Sequence, residues 1–166
     1  SGGLDTSYCA LYLVKERGFE VVAATINTGG FDEIAANQLQ KKAFSLGVSD
    51  YKFIDQTAHF YEQGIKYLIF GNVLKNNTYP LSVSAERVFQ AMALAYLAIE
   101  MKVDAIAHGS TGAGNDQIRF DLIFQTMCPQ IEIITPIRDL ALSREEEISY
   151  LQQHGVEGVW EKALYS

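Results

Sequence analysis

The chain has 166 residues, of which 48% are hydrophobic and 20% charged, the size and composition of one ordinary globular domain rather than a disordered segment. Its net charge of −7, with no basic stretch to offset phosphate repulsion, argues against a general nucleic-acid binder. The longest apolar run, Ala91–Ile99, is too short to span a membrane, and Cys9 and Cys128 have no metal-ligand spacing and read as reduced, structural thiols of a cytoplasmic protein.

The chain opens on Ser1-Gly2-Gly3-Leu4-Asp5-Thr6-Ser7. Two glycines allow a tight turn and close approach of an anion, and a helix starting at once turns its first N–H groups toward that anion. Thr6 and Ser7 can add hydroxyl donors. A plain Gly-Gly turn fits the same residues. Opening on Ser1 inside such a loop, without an initiator methionine, the chain reads as a trimmed piece lacking the strand that should feed the loop.

The apolar spacing predicts a helix over Thr6 to Arg17 with Gly18 as its stop, then a buried strand over Phe19–Ile26. Asn27-Thr28-Gly29-Gly30 breaks that strand. A helix follows from Asp32 to Leu46, a strand over Tyr51–Asp55, and a helix over Thr57–Phe70 weakened at Gly64. Asn72–Pro80 reads as a loop and Ser84–Met101 as a long buried helix, with Phe89, Met92 and Tyr96 at core-packing intervals. A strand over Val103–His108 runs into Gly109-Ser110-Thr111-Gly112-Ala113-Gly114-Asn115. A helix over Asp116–Met127 and a strand over Ile131–Thr135 come next. Ser143 and Glu146 form a capping box opening a last helix that ends near Gly155. Strands alternating with helices predict an α/β fold: a parallel sheet with right-handed crossovers and helices on both faces.

Ligands of such folds bind beyond the carboxyl ends of the strands. Three polar loops fall there: Ser1–Ser7, Asn27–Gly30 and Gly109–Asp116. Asp116 and Arg119 lie one helical turn apart and share a face. Together they suit a zwitterionic amino acid, the carboxylate for an ammonium and the guanidinium for a carboxylate or polarised oxygen. A surface ion pair at a helix start fits the same two residues. Glu145-Glu146-Glu147 reads as an acidic helix start that complements the dipole and needs no ligand. His59 and His154 read as structural or solvated, His108 as a support beside the third loop, and Trp160 with Tyr165 as an anchor of the domain edge or a face toward a further domain. No Gly-Lys-Ser/Thr occurs, which disfavours a P-loop kinase or GTPase.

Ser1–Ser7 resembles the pyrophosphate loop of the N-type ATP pyrophosphatases. His108-Gly-Ser-Thr-Gly-Ala-Gly-Asn-Asp-Gln-Ile-Arg119 is similar to the second signature of the argininosuccinate synthase branch, and Asn27–Gly30 and Tyr79–Ser84 fall at that branch's other binding positions. The resemblance implies a Rossmann-like adenine nucleotide alpha-hydrolase fold. It also implies ligation of citrulline and aspartate with release of AMP and pyrophosphate. By the resemblance, Ser1, Gly2, Gly3, Leu4, Asp5, Thr6 and Ser7 hold ATP phosphates, and Ile26 and Gly109 also touch ATP. Tyr79, Ser84, Asn115 and Arg119 bind citrulline, while Thr111, Asn115 and Asp116 bind aspartate. Mg2+ bridges phosphate oxygens with few protein ligands, and Asp116 is the candidate general base. A larger second domain completes the amino-acid sites and carries homotetramer contacts, so this piece is expected to be inactive alone. Other adenylating members of the superfamily and a non-catalytic ATP-binding module are the rival readings.

Two departures from the family pattern stand out. Ala113 replaces a lysine in the second signature. After Ser84 the chain reads Ala85-Glu86-Arg87-Val88 in place of Ala-Arg-Pro. Moving the arginine by one position on a helix turns its side chain by about 100°.

Overall fold

A computed structural model describes residues 2–158 and Trp160, with the side chains of Tyr79 and Pro80 left out. The expectations for Ser1, for the Tyr79 side chain and for Tyr165 therefore lie outside the described residues.

Helix α1 (Leu4–Lys15) starts directly after Gly3, two residues earlier than the apolar pattern indicates. The cause is Leu4, which is buried on the same stripe as Leu11. Strand β1 (Val22–Asn27) begins later than expected because the Phe19 N–H donates to the Leu13 carbonyl at 3.0 Å, wrapping the chain around the end of α1. β1 runs parallel to β2 (Asp50–Asp55), with Ile26 opposite Ile54. Helix α2 (Glu33–Ser45) makes the crossover, and the Asp32 carboxylate caps it by accepting from the Ala35 N–H at 2.8 Å.

The segment expected as one helix over Thr57–Phe70 is α3 (Thr57–Phe60), a π turn over Tyr61–Ile65, and α4 (Lys66–Phe70). Gly64 lies in the π turn with the Phe89 ring against it; a Cβ there would come within 3.0 Å of Phe89. The expected loop over Asn72–Pro80 contains a short antiparallel hairpin, β3 (Leu74–Lys75) with β4 (Tyr79–Pro80). Its turn is Asn76-Asn77, both in the left-handed region at φ 55°, a conformation asparagine tolerates better than most residues.

Helix α5 (Ser82–Met101) is followed by β5 (Ala105–Ala107), α6 (Asp116–Met127) and β6 (Glu132–Ile134), with β5 and β6 parallel. α7 (Pro136–Asp139) was not foreseen; it is only four residues long and opens on proline, whose fixed φ suits a first helical turn. α8 (Arg144–Gln153) has the expected Ser143–Glu146 capping box.

The α/β architecture is as expected, but the single sheet is not: the described strands form two separate parallel pairs and the small hairpin. The core lies in two regions. Ala91, Ala95 and Ala98 give α5 a small-residue face on which Phe124 of α6 and Cys128, just past its end, pack with Ile106 and Ile131. Leu4 and Leu11 of α1 pack with Leu46 and with Leu151 of α8, beside a cluster of Tyr8, Cys9 and Ile137. Both cysteines are free and buried. Phe89 packs edge-on to His59 and tilted against Phe60, but Tyr96, expected in the core, is 61% exposed.

Candidate functional site

The glycines of the first loop permit its geometry. Gly2 has φ 68°, and a Cβ on it would collide with the Leu39 side chain of α2. Its carbonyl accepts from Lys42 Nζ at 2.5 Å, which ties the loop to α2. Gly3 is an extended N-cap without a side-chain hydrogen bond, so the helix opens without a built-in cap. Leu4 and Ser7 face inward and are buried. The Thr6 and Ser7 hydroxyls both donate to the Gly3 carbonyl, at 3.2 and 2.7 Å, bracing the turn from within.

Gly109, the first residue of the third loop, touches this turn. A Cβ on it would lie 2.9 Å from the Asp5 Cβ and 3.0 Å from the Asp5 backbone carbon. The first and third loops therefore meet at one end of the fold. The second loop is held by Asn27, buried at the end of β1. Asn27 Oδ1 accepts from the Gly29 and Phe31 N–H groups at 3.0 and 3.1 Å, and its Nδ2 donates to the Phe31 carbonyl. Thr28 then donates to Glu86 of α5 at 2.7 Å, which joins the second loop to the α5 start. Ile26 is buried beside Asn27 on β1, opposite Ile54 of β2.

The starts of α5 and α6 share one ionic network. Arg119 donates to Asp116 Oδ1 at 2.6 Å and to the Ser84 hydroxyl at 2.9 Å. Arg87 Nε donates to Asp116 Oδ2 at 3.1 Å, and its Nη1 donates to Gln90, which in turn donates to Glu86. Each Asp116 oxygen thus holds one guanidinium. The displaced arginine of the departed motif points to Asp116, and its charge is absorbed there. Thr111 and Asn115 lie on the exposed rim of the third loop; Thr111 donates to the Ala113 carbonyl at 3.3 Å.

A second, more buried network supports that loop. The Ser110 N–H donates to His108 Nδ1 at 3.3 Å, which leaves Nε2 to donate to Asp121 at 3.0 Å. Arg138 donates to Asp121 at 2.7 Å and to Gln117 at 3.2 Å, while Gln117 donates to the Gly112 carbonyl at 2.6 Å. Burial pushes the His108 imidazole below its ordinary range, although Asp121 pulls the other way. Burial also works against the Asp121 carboxylate, but the Arg138 and His108 hydrogen bonds outweigh it and hold the group below the usual range.

Among the expected residues, Asp5 and Gly109 come together, as do Ser84, Asp116 and Arg119. Sequence reasoning missed Arg138, Asp121 and Glu147. Glu147 is not a solvated helix start. It is 3% exposed on the α8 face that packs against α1, and its Oε2 has no hydrogen-bond partner among the described residues. Burial first, and the adjacent Asp5 charge second, push its carboxyl up to about 7, against the pull of Arg144. The available signal was Leu151, one helical turn later on the same buried stripe.

The arginosuccinate synthase N-terminal HUP domain matches residues 1–157. The chain belongs to this family. An argininosuccinate synthase of Prochlorococcus marinus is 40% identical over 168 residues, covering 100% of this chain and 42% of its own length. One of Leuconostoc citreum is 43% identical over 158 residues, covering 94% of this chain and 38% of its own length. Another, of Lactococcus lactis, is 38% identical over 156 residues. The chain therefore spans about two fifths of the length of these relatives. The HUP family is α/β and Rossmann-like, in keeping with the parallel pairs and their helical crossovers.

Proposed function

We propose that this chain supplies the nucleotide-binding part of an argininosuccinate synthase, a carbon–nitrogen ligase of arginine biosynthesis. The observation that carries the proposal is the apposition of Asp5 and Gly109, which puts a glycine-rich helix start beside the loop that leads to Asp116 and Arg119. An uncapped N-terminus behind Gly2 and Gly3 suits a polyanion such as the ATP phosphates. The Ser84–Arg119–Asp116 cluster suits amino-acid substrates, citrulline near Tyr79, Ser84, Asn115 and Arg119, and aspartate near Thr111, Asn115 and Asp116.

In this reading the ureido oxygen of citrulline attacks the α-phosphorus of ATP and pyrophosphate leaves. The aspartate amine then attacks the ureido carbon of the citrullyl-adenylate, AMP leaves with the oxygen, and the nitrogen loses a proton. Catalysis is positioning and charge stabilisation. Asp116 is the candidate acceptor of that proton, although two guanidiniums already hold its oxygens. Among the described residues, no three His, Cys, Asp or Glu side chains are grouped to hold a metal. Mg2+ would enter on the ATP phosphates, where it would neutralise their charge.

The acidic net charge suits a protein that does not bind nucleic acid, and among the described residues no helix is long and apolar enough to cross a membrane; a cytoplasmic location is part of the family reading. A homotetramer of the full-length protein follows from the family reading. The test is pyrophosphate release by the full-length protein with ATP, citrulline and aspartate. Release that requires citrulline, with argininosuccinate formed only when aspartate is added, is the expected result. Release that ignores citrulline refutes the reading.

A further inference from the structure

A carboxyl side chain lies buried directly behind the proposed nucleotide loop. We propose that Glu147 is a positioning residue for that loop: it carries a proton against Asp5, and binding of a nucleotide polyphosphate is coupled to uptake of that proton. The inference rests on the reading of Gly2–Ser7 as the ATP cradle.

The geometry gives Glu147 little other purpose. It sits on α8 with Leu151, against the α1 turn that contains Leu4, Asp5 and Tyr8. Its one side-chain hydrogen bond is with Asp5, itself a carboxyl, so an apolar residue would fill that position at lower cost. Its Oε2 remains unpartnered among the described residues although the side chain is 3% exposed.

Among the described residues, few groups face it. From α1 come Asp5, Tyr8 and Cys9, and from α8 comes Arg144, which also donates to the Trp160 carbonyl at 2.7 Å. Burial pushes Tyr8 and Cys9 up to about 12, so neither carries charge near neutrality. The balance at the base of the cradle is therefore Asp5 and Glu147 against Arg144. With Glu147 ionised, two carboxylates share the space behind the loop and repel an incoming polyanion. With the proton on Glu147, the negative charge there is halved. Linkage is reciprocal: a polyphosphate that favours the protonated carboxyl must itself bind better when that proton is present.

Two measurements on the full chain test this. Carboxyl carbon NMR of the ligand-free protein should show one glutamate titrating near 7, absent in Glu147→Gln and shifted down in Asp5→Asn. Calorimetry with ATP in excess Mg2+, in buffers of different ionisation enthalpy, should show proton uptake near neutrality that Glu147→Gln abolishes. Affinity of the unaltered chain should fall up to about tenfold from mildly acidic to mildly alkaline pH, the change expected when the ligand moves the group by one unit. A merely structural Glu147 would change stability without changing proton uptake. If Glu147 titrates in the ordinary carboxyl range, or if ATP binds with no proton taken up, the inference is overturned and the nucleotide reading stands. If ATP fails to bind at any pH, the nucleotide reading falls and the coupling with it, whatever the NMR titration gives. Should Glu147→Gln not fold, the NMR shift in Asp5→Asn and the proton uptake of the unaltered chain decide the matter.

Discussion

Gly109 lies against Asp5 so closely that a single added methyl would come within 2.9 Å of the Asp5 Cβ and 3.0 Å of its backbone carbon. Backbone on that side cannot yield as a flexible side-chain tip would. Gly109→Ala is therefore expected to push the first and third loops apart and weaken ATP binding by tenfold or more, on the order of 1.4 kcal/mol. Calorimetric titration of ATP with Mg2+ measures it, and unchanged affinity would argue against a shared nucleotide site.

The Arg119 guanidinium spans Ser84 and Asp116, which a lysine ammonium reaches less well because it lacks the planar fork. Arg119→Lys is expected to raise the citrulline KM about tenfold in the full-length enzyme, with the loss of about one charged hydrogen bond. Stability should change by less than about 1 kcal/mol, since Asp116 and Arg119 are partly solvated. Steady-state kinetics and thermal melts separate the two effects.

Glu147 gives stability a downward slope with pH. Its folded carboxyl lies near 7 against an ordinary 4.5. The folded state thus holds the proton more tightly, and that contribution is full below about 4.5 and lost as pH rises to about 7. Glu147→Gln should remove the slope and stabilise the chain by about 2 kcal/mol at neutral pH and above. Denaturant unfolding at several pH values measures it.

His108 acts in the opposite sense. Its folded imidazole titrates below the ordinary 6.5, so its contribution is present above that value and lost as pH falls through the folded one. Asp121, held down by Arg138 and His108, reinforces the acid sensitivity at lower pH. His108→Gln should flatten the fall of melting temperature below about pH 6. A melting curve as acid-sensitive as that of the unaltered chain would show that the imidazole is not its source.

Local chemistry made much of this fold readable. The start of α6 at Asp116 and the Ser143–Glu146 box depend on neighbours within one turn, and both occur as expected. The hairpin around Asn76-Asn77 looked like a loop because strands of two residues carry no periodicity. The π turn at Gly64 needs Phe89 from another helix, so nothing within Thr57–Phe70 announces it. The candidate site divides the same way. Asp116 and Arg119 share a helix, and their pairing was visible in their spacing. Arg87 joining Asp116, Arg138 beneath Gly112, and Glu147 behind Asp5 arise only when helices pack. The run of three glutamates looked like a plain acidic helix start because α1, which covers its last member, is far away in sequence.

The ionic lattice at the mouth of α5 and α6 has a consequence for traffic through it. Arg87, Arg119 and Asp116 already satisfy one another, so in the proposed reading an amino-acid substrate would enter by exchange, trading its own carboxylate and ammonium for bonds that must first open. Such a trade leaves only a modest net gain and keeps the visitor exchangeable. It also means that whichever molecule takes Arg119 releases Ser84 and half of Asp116 for the next arrival.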